Sequence, residues 1–209
     1  MTATSLHSTP KRVLRYYILY GFSGGKAHSR RFRRLMAEQG MEPASNIFDA
    51  DILIAHSAGS LMVPKTAQAK LTLLIGVPLN RHTVKTYFRA HITNIKNFFQ
   101  SRQLLQGIRI SLDSTYYLLT HPLQNFRRAK IVDKHNVPLP DGKHGQVVWI
   151  MNQHDPWSKI PELEKYIDDR PYSFVSMRGS HDSIWTDPDM FVGIIRQYAN
   201  GLLAQTRKR

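Results

Sequence analysis

Ser57 is the residue whose surroundings point most directly to chemistry. It stands in Ala55-His56-Ser57-Ala58-Gly59, directly after the apolar run 51–55. A serine placed on a sharp turn between a strand and a helix presents its hydroxyl free of its own backbone. Small residues two positions before and two after let the chain turn that tightly. Ala55 occupies the earlier position, where glycine is usual, and is still small. Small-x-Ser-x-small strings are frequent by chance and then mark ordinary loop serines; the apolar strand before Ser57 and the helix-compatible segment after it favour the turn. Such a hydroxyl is a poor nucleophile at neutral pH until a neutral imidazole accepts its proton. The imidazole in turn needs a carboxylate to fix its tautomer and balance its charge, and the oxyanion that forms needs backbone donors already aimed at it.

Other chemistries find less support. The 209 residues include no cysteine, which excludes disulfides, thiolate metal sites and a cysteine nucleophile. The ten histidines show no metal-binding spacing, so no metal is expected. Gly21-Phe22-Ser23-Gly24-Gly25 is not a dinucleotide fingerprint, because it lacks Gly-x-Gly-x-x-Gly and no acidic residue ends the following strand; no cofactor is expected. The net charge of +14 is spread along the chain. Its densest cluster, Arg30-Arg31-x-Arg33-Arg34, reads as the solvated face of a helix, and Arg207-Lys208-Arg209 as a solvated tail. With no nucleic-acid recognition motif, solubility is the preferred reading of the charge and no specific nucleic-acid partner is expected. The polar segment 1–12 lacks the apolar core of a secretory signal. No stretch approaches the roughly 18 apolar residues of a membrane span. A cytoplasmic protein is expected.

The elements that must position Ser57 follow from hydropathy patterning. Segments 13–20, 51–55, 70–77, 146–151 and 172–177 read as buried strands. Segment 27–39 reads as a helix with Phe32, Leu35 and Met36 on its buried side and Gly40 as its C-cap. Segment 188–205 reads as a closing amphipathic helix with Met190, Phe191, Ile194, Ile195, Tyr198 and Leu202 as its buried stripe. Strands alternating with helices predict an α/β fold, a mostly parallel sheet flanked by helices, in one domain spanning 1–209. Residues 79–145 exceed what a crossover needs. Their aromatic and cationic helical pattern (Tyr87, Phe88, Phe98, Phe99, Leu104, Leu105, Tyr116 to Leu119, Phe126) predicts a helical cap inserted within that domain.

A strand, an Ala-x-Ser-x-Gly turn and a helix on this background resemble the α/β-hydrolase family, and the resemblance extends over nearly the whole chain. It implies the order nucleophile, acid, histidine. Asp155 matches the acid, in the loop Asn152-Gln153-His154-Asp155-Pro156-Trp157 after a late strand. His181 matches the histidine, in Arg178-Gly179-Ser180-His181-Asp182 before the last helix. The resemblance further implies an oxyanion hole built from the backbone N–H groups of Ala58 and Phe22; Tyr20 departs from the histidine many members carry before that glycine, without touching the donor. The family's opening antiparallel strands have no counterpart. The implied reaction is hydrolysis of an ester, thioester or amide of a small acyl substrate through an acyl-enzyme.

Each residue also has a plainer reading. Asp155 could simply cap a helix begun by Pro156, and His181 could be a structural loop histidine. Asp113 and Asp182 are rival acids. His56 reads as a residue that stabilises the turn, and Ser23 as either an oxyanion-region donor or a turn residue. A catalytically silent, hydrolase-like binding protein is the alternative to an enzyme. If the triad is real, the His181 ring lies between the Ser57 hydroxyl and the Asp155 carboxylate, and the cap lies over the C-terminal ends of the strands.

Overall fold

A computed structural model describes residues 13–21, 24–78, 92, 96, 99, 104–133, 140, 142–155, 157 and 171–206. The readings placed on Phe22, Ser23, Tyr87, Phe88, Phe98, Pro156 and the tail 207–209 lie outside these residues.

Six strands form one sheet: β1 (Leu14–Leu19), β2 (Met41–Pro43), β3 (Ile52–His56), β4 (Leu71–Ile75), β5 (Gln146–Asn152) and β6 (Tyr172–Met177). Their order is β2-β1-β3-β4-β5-β6, and every neighbouring pair is parallel. The expected mostly parallel sheet is thus wholly parallel among the described strands, with one strand more than the hydropathy pattern predicts. The extra strand, β2, has three residues and ends in proline. It runs along the edge, where proline's missing donor is tolerated.

The helices are α1 (Arg30–Glu38), α2 (Leu104–Thr120), α3 (Pro122–Asp133), α4 (Ser183–Thr186) and α5 (Pro188–Thr206), with a 3-10 helix at Ser57–Met62. Strands β3 and β4 are buried along their whole length, as continuous apolar runs in a parallel sheet should be. Ile52, Ile54, Leu71, Leu73, Ile75, Val148 and Ile150 face the layer formed by Phe32 and Met36 of α1 and by Phe191, Val192 and Ile195 of α5. Leu53, Ala55, Leu74, Val147, Trp149 and Met151 face the other way, onto Leu61 and Val63. The period-2 alternation of a strand puts alternate residues on opposite faces. The stripe of α5 differs from the expectation at Met190, which is exposed, while Val192 and Ala199 are buried. The buried arc is rotated by about one residue, toward the side that packs on α4 and α1.

The chain leaves β1 for the edge strand β2 and then returns across β1 to β3. The strand order thus reverses between β1 and β3, and the C-terminal ends of the strands at such a switch point are where ligands bind in open parallel sheets. Helices α2 and α3 fall between β4 and β5 in the chain. Helix α3 packs on the 3-10 helix that follows β3, and α2 touches α4. No helix among the described residues is long and apolar enough to cross a membrane.

Candidate active site

Ser57 begins the 3-10 helix immediately after β3 and has φ 54°. This left-handed conformation costs an ordinary side chain about 1–2 kcal/mol, and such strain is retained where the surroundings impose it. Here the surroundings are glycines. A Cβ on Gly21 would lie 2.6 Å from Ser57 Cβ, and one on Gly59 would lie 2.2 Å from the Leu19 carbonyl oxygen. The turn can thus press against the end of β1 only because both positions lack side chains. Ala55 is fully buried, so the methyl group at the position usually held by glycine is accommodated in the core. Ala58, the second residue of the 3-10 helix, carries one of the first-turn N–H groups that have no carbonyl within the helix to bind.

Asp155 and His181 come together from the loops after β5 and β6. His181 Nδ1 and Asp155 Oδ2 are 2.8 Å apart, and both residues are buried. The carboxylate uses its other oxygen as well: Trp157 N–H donates to Oδ1 at 2.8 Å. The capping reading and the histidine-orienting reading of Asp155 are therefore both satisfied, one oxygen to each. Asp155, rather than Asp113 or Asp182, occupies the histidine's Nδ1.

Burial alone would raise the Asp155 pKa; the His181 charge, its hydrogen bond and the Trp157 amide outweigh burial and hold the carboxyl below its ordinary range. Burial alone would likewise lower the His181 pKa, and the Asp155 carboxylate reverses that and holds it above the ordinary histidine value. The remaining ring nitrogen of His181 is not hydrogen-bonded to the Ser57 hydroxyl in this arrangement; among the described residues, the part of the expected relay that is closed is the histidine–carboxylate bond.

His56 ties the serine turn to the histidine loop. Its Nε2 donates to the His181 carbonyl oxygen at 2.9 Å, and its ring centroid is 4.9 Å from that of His181. Trp185 of α4 packs edge-on against His56 at 5.2 Å and also contacts Tyr20 and Phe32. Burial pushes the His56 pKa down to about 4, so the ring is neutral near pH 7, as its role as a hydrogen-bond donor to a carbonyl requires only one ring proton.

Gly76 lies within the apolar run 70–77 and is not among the expected site residues. It ends the β4 segment at φ +57°, and a Cβ there would lie 3.0 Å from Asp155 Oδ2 and 3.1 Å from His181 Nδ1. A glycine inside an apolar strand pattern is a recognised sign of close approach, and this signal was available in Leu74-Ile75-Gly76-Val77. Among the described residues, no group of three His, Asp or Glu side chains is arranged to hold a metal ion.

No protein-family model matches the sequence, and no curated protein matches it. Solved structures do match in three dimensions. The enol-lactonase from Burkholderia xenovorans LB400 superposes with TM-score 0.61 at 8% identity, over 91% of this chain and 92% of that one. ClbQ from the colibactin NRPS/PKS pathway gives 0.58 at 12% identity, over 91% and 98%. The thermophilic esterase from Thermogutta terrifontis gives 0.58 at 12%, over 90% of each chain. This chain has the α/β-hydrolase fold. The α/β-hydrolase sheet accounts for the common edge at which the loops bearing Ser57, Asp155 and His181 meet, while identities this low leave the chemistry to be argued from the residues themselves.

Two outcomes follow from this geometry. Gly76→Ala is expected to lengthen the Asp155–His181 bond and to cost about 1–2 kcal/mol through its left-handed backbone. An NMR titration should show the His181 pKa moving down toward about 6.5; an unchanged pKa would separate Gly76 from the pair. The second outcome concerns acid stability. The folded-state pKa of His56, about 4, lies below its unfolded value of about 6.5. Between these values the unfolded chain binds the extra proton, so stability is present at neutral pH and lost as pH falls, by about 3 kcal/mol in all. Asp155, whose pKa is depressed, adds a loss only below about 3.9. His181, whose pKa is raised, contributes below about 6.5 and loses that contribution as pH rises through its folded pKa. Urea unfolding at a series of pH values should show the slope between pH 6.5 and 4 flattening in His56→Gln, which keeps a donor near the His181 carbonyl but does not titrate.

Proposed function

We propose that the chain is a serine hydrolase that cleaves an ester or thioester of a small acyl substrate through an acyl-enzyme, with Ser57 as nucleophile, His181 as general base and Asp155 as the orienting acid. The observation that carries this reading is the buried 2.8 Å His181–Asp155 hydrogen bond on the same sheet edge as the left-handed turn at Ser57. The fold's neighbours include an enol-lactonase and esterases, in keeping with this reading.

In this reading Ser57 Oγ attacks the acyl carbonyl carbon while its proton passes to the free ring nitrogen of His181. Serine–histidine bonds of this kind are often open without substrate and tighten in the complex. Asp155 fixes the Nδ1–H tautomer and balances the imidazolium. The oxyanion is received by the Ala58 N–H and by that of Phe22 in the loop after β1. His181 returns the proton to the departing alkoxide or thiolate, and water then attacks the acyl-serine by the same route in reverse. Residues 79–145 serve as a cap, since α3 packs on the helix that Ser57 opens. No cofactor takes part, and we place the enzyme in the cytoplasm.

With p-nitrophenyl esters of graded chain length, Ser57→Ala and His181→Ala should each lower kcat by at least about 10⁴-fold, and their combination should cost little more than either alone. Asp155→Asn should cost roughly 10⁴-fold, because the amide can hold the ring in the wrong tautomer. Because the base must be neutral, kcat/KM should rise with pH through a midpoint above about 6.5, displaced upward by Asp155. A Ser57→Ala protein that hydrolyses the best ester at the original rate would place the nucleophile elsewhere.

A further inference from the structure

Helix α2 has two apolar sides, and among the described residues only one is covered. On the covered side, Ile110 joins the core, Ser114 Oγ lies 2.7 Å from His28 Nε2, and the Tyr117 ring fills the space a side chain on Gly25 would take. On the other side, Leu105, Ile108, Leu112, Tyr116 and Leu119 are between 47% and 83% exposed. At 100° per residue these five fall within an arc of about 80°, a continuous stripe. Leu123 and Phe126 extend it onto α3, at 76% and 59% exposed. Thirteen large apolar residues stand exposed among the described residues, and nine of them lie between Ile92 and Phe126. This is a patch, not the scattered exposure normal for a protein surface.

The charge of the same segment indicates what covers it. Residues 79–145 hold eleven Lys and Arg against three Asp, so a third of the chain carries more than half of its net charge of +14. Exposed Lys96, Arg109 and Arg127 stand on the described parts of this segment. The stripe itself holds no acidic residue. Two copies meeting through this surface would bring like charges together, which disfavours self-association. An outward stripe of aliphatic and aromatic side chains with exposed Arg109 and Arg127 beside it suits a helix that lies in the interface of an anionic bilayer, its apolar side among the acyl chains and its cations at the headgroups.

We propose that the outward side of α2 and the start of α3 form a docking surface for anionic lipid membranes. The surface is separate from the assignment of Ser57, and the two can be tested apart. The full chain is sedimented with vesicles of phosphatidylcholine alone and of equimolar phosphatidylcholine and phosphatidylglycerol, at low and high salt. It should bind the anionic vesicles, bind them less at high salt, and leave the neutral ones largely in solution. Leu112→Glu combined with Tyr116→Glu should weaken binding by about tenfold or more, as should Arg109→Glu with Arg127→Glu. All four side chains are exposed, so circular dichroism should be unchanged, and Ser57→Ala should bind vesicles like the parent. Failure to bind anionic vesicles overturns the proposal. So does equal binding by the Leu112/Tyr116 variant, or a dimer in light scattering that this variant abolishes, which would assign the stripe to a second copy of the chain.

Discussion

The hydrogen bond between His181 and Asp155 is the constraint around which the C-terminal edge of the sheet is arranged. A carboxylate taken out of water costs several kcal/mol unless its oxygens are bound, and leaving one member of such a pair without the other costs about 3–5 kcal/mol. Both Asp155 oxygens are bound, one by the His181 ring and one by the Trp157 amide. The pair then dictates its neighbours. Position 76 can carry no side chain without pressing on it. The His181 backbone is held by His56, so the loop after β6 and the turn after β3 are fixed to each other through one imidazole.

That arrangement is possible because every described strand runs the same way. The loops after β1, β3, β4, β5 and β6 all emerge at one edge and supply Gly21, Ser57, Gly76, Asp155 and His181 respectively. These loops crowd so closely that a methyl group would collide at Gly21 or Gly59 and would press on Asp155 and His181 at Gly76. The strain at Ser57, with φ 54°, is sustained by this crowding, and the fully buried strands β3 and β4 provide the rigid base.

How far this was legible in the sequence depended on whether the cause of a feature was local. The strands β1, β3, β4, β5 and β6 show as apolar runs because burial on both faces removes polar residues from them. Strand β2 does not show, since its three residues Met41-Glu42-Pro43 form edge pairing with no hydropathy signature. The Ser57 turn was visible because the small residues at 55 and 59 are neighbours in sequence. Asp155 and His181 were reached only through the family's order of residues, since nothing local separates Asp155 from Asp113 or Asp182; the separation is made in space. Gly76 carries a local sign, a glycine within an apolar run, but what forbids a side chain there comes from two other loops. The outward stripe on α2 shows in the sequence only as apolar and aromatic content of a helical insertion, because periodicity locates an apolar side but not whether something covers it.

The central claim, that Ser57 is a nucleophile activated by the buried His181–Asp155 pair, is tested most directly by mapping the adduct of a serine-directed fluorophosphonate by peptide mass spectrometry. The account predicts one stoichiometric adduct, on the peptide containing Ser57, forming faster as pH rises past the raised pKa of His181. An unmodified Ser57 in a protein that hydrolyses esters, or an adduct on another serine, would contradict it.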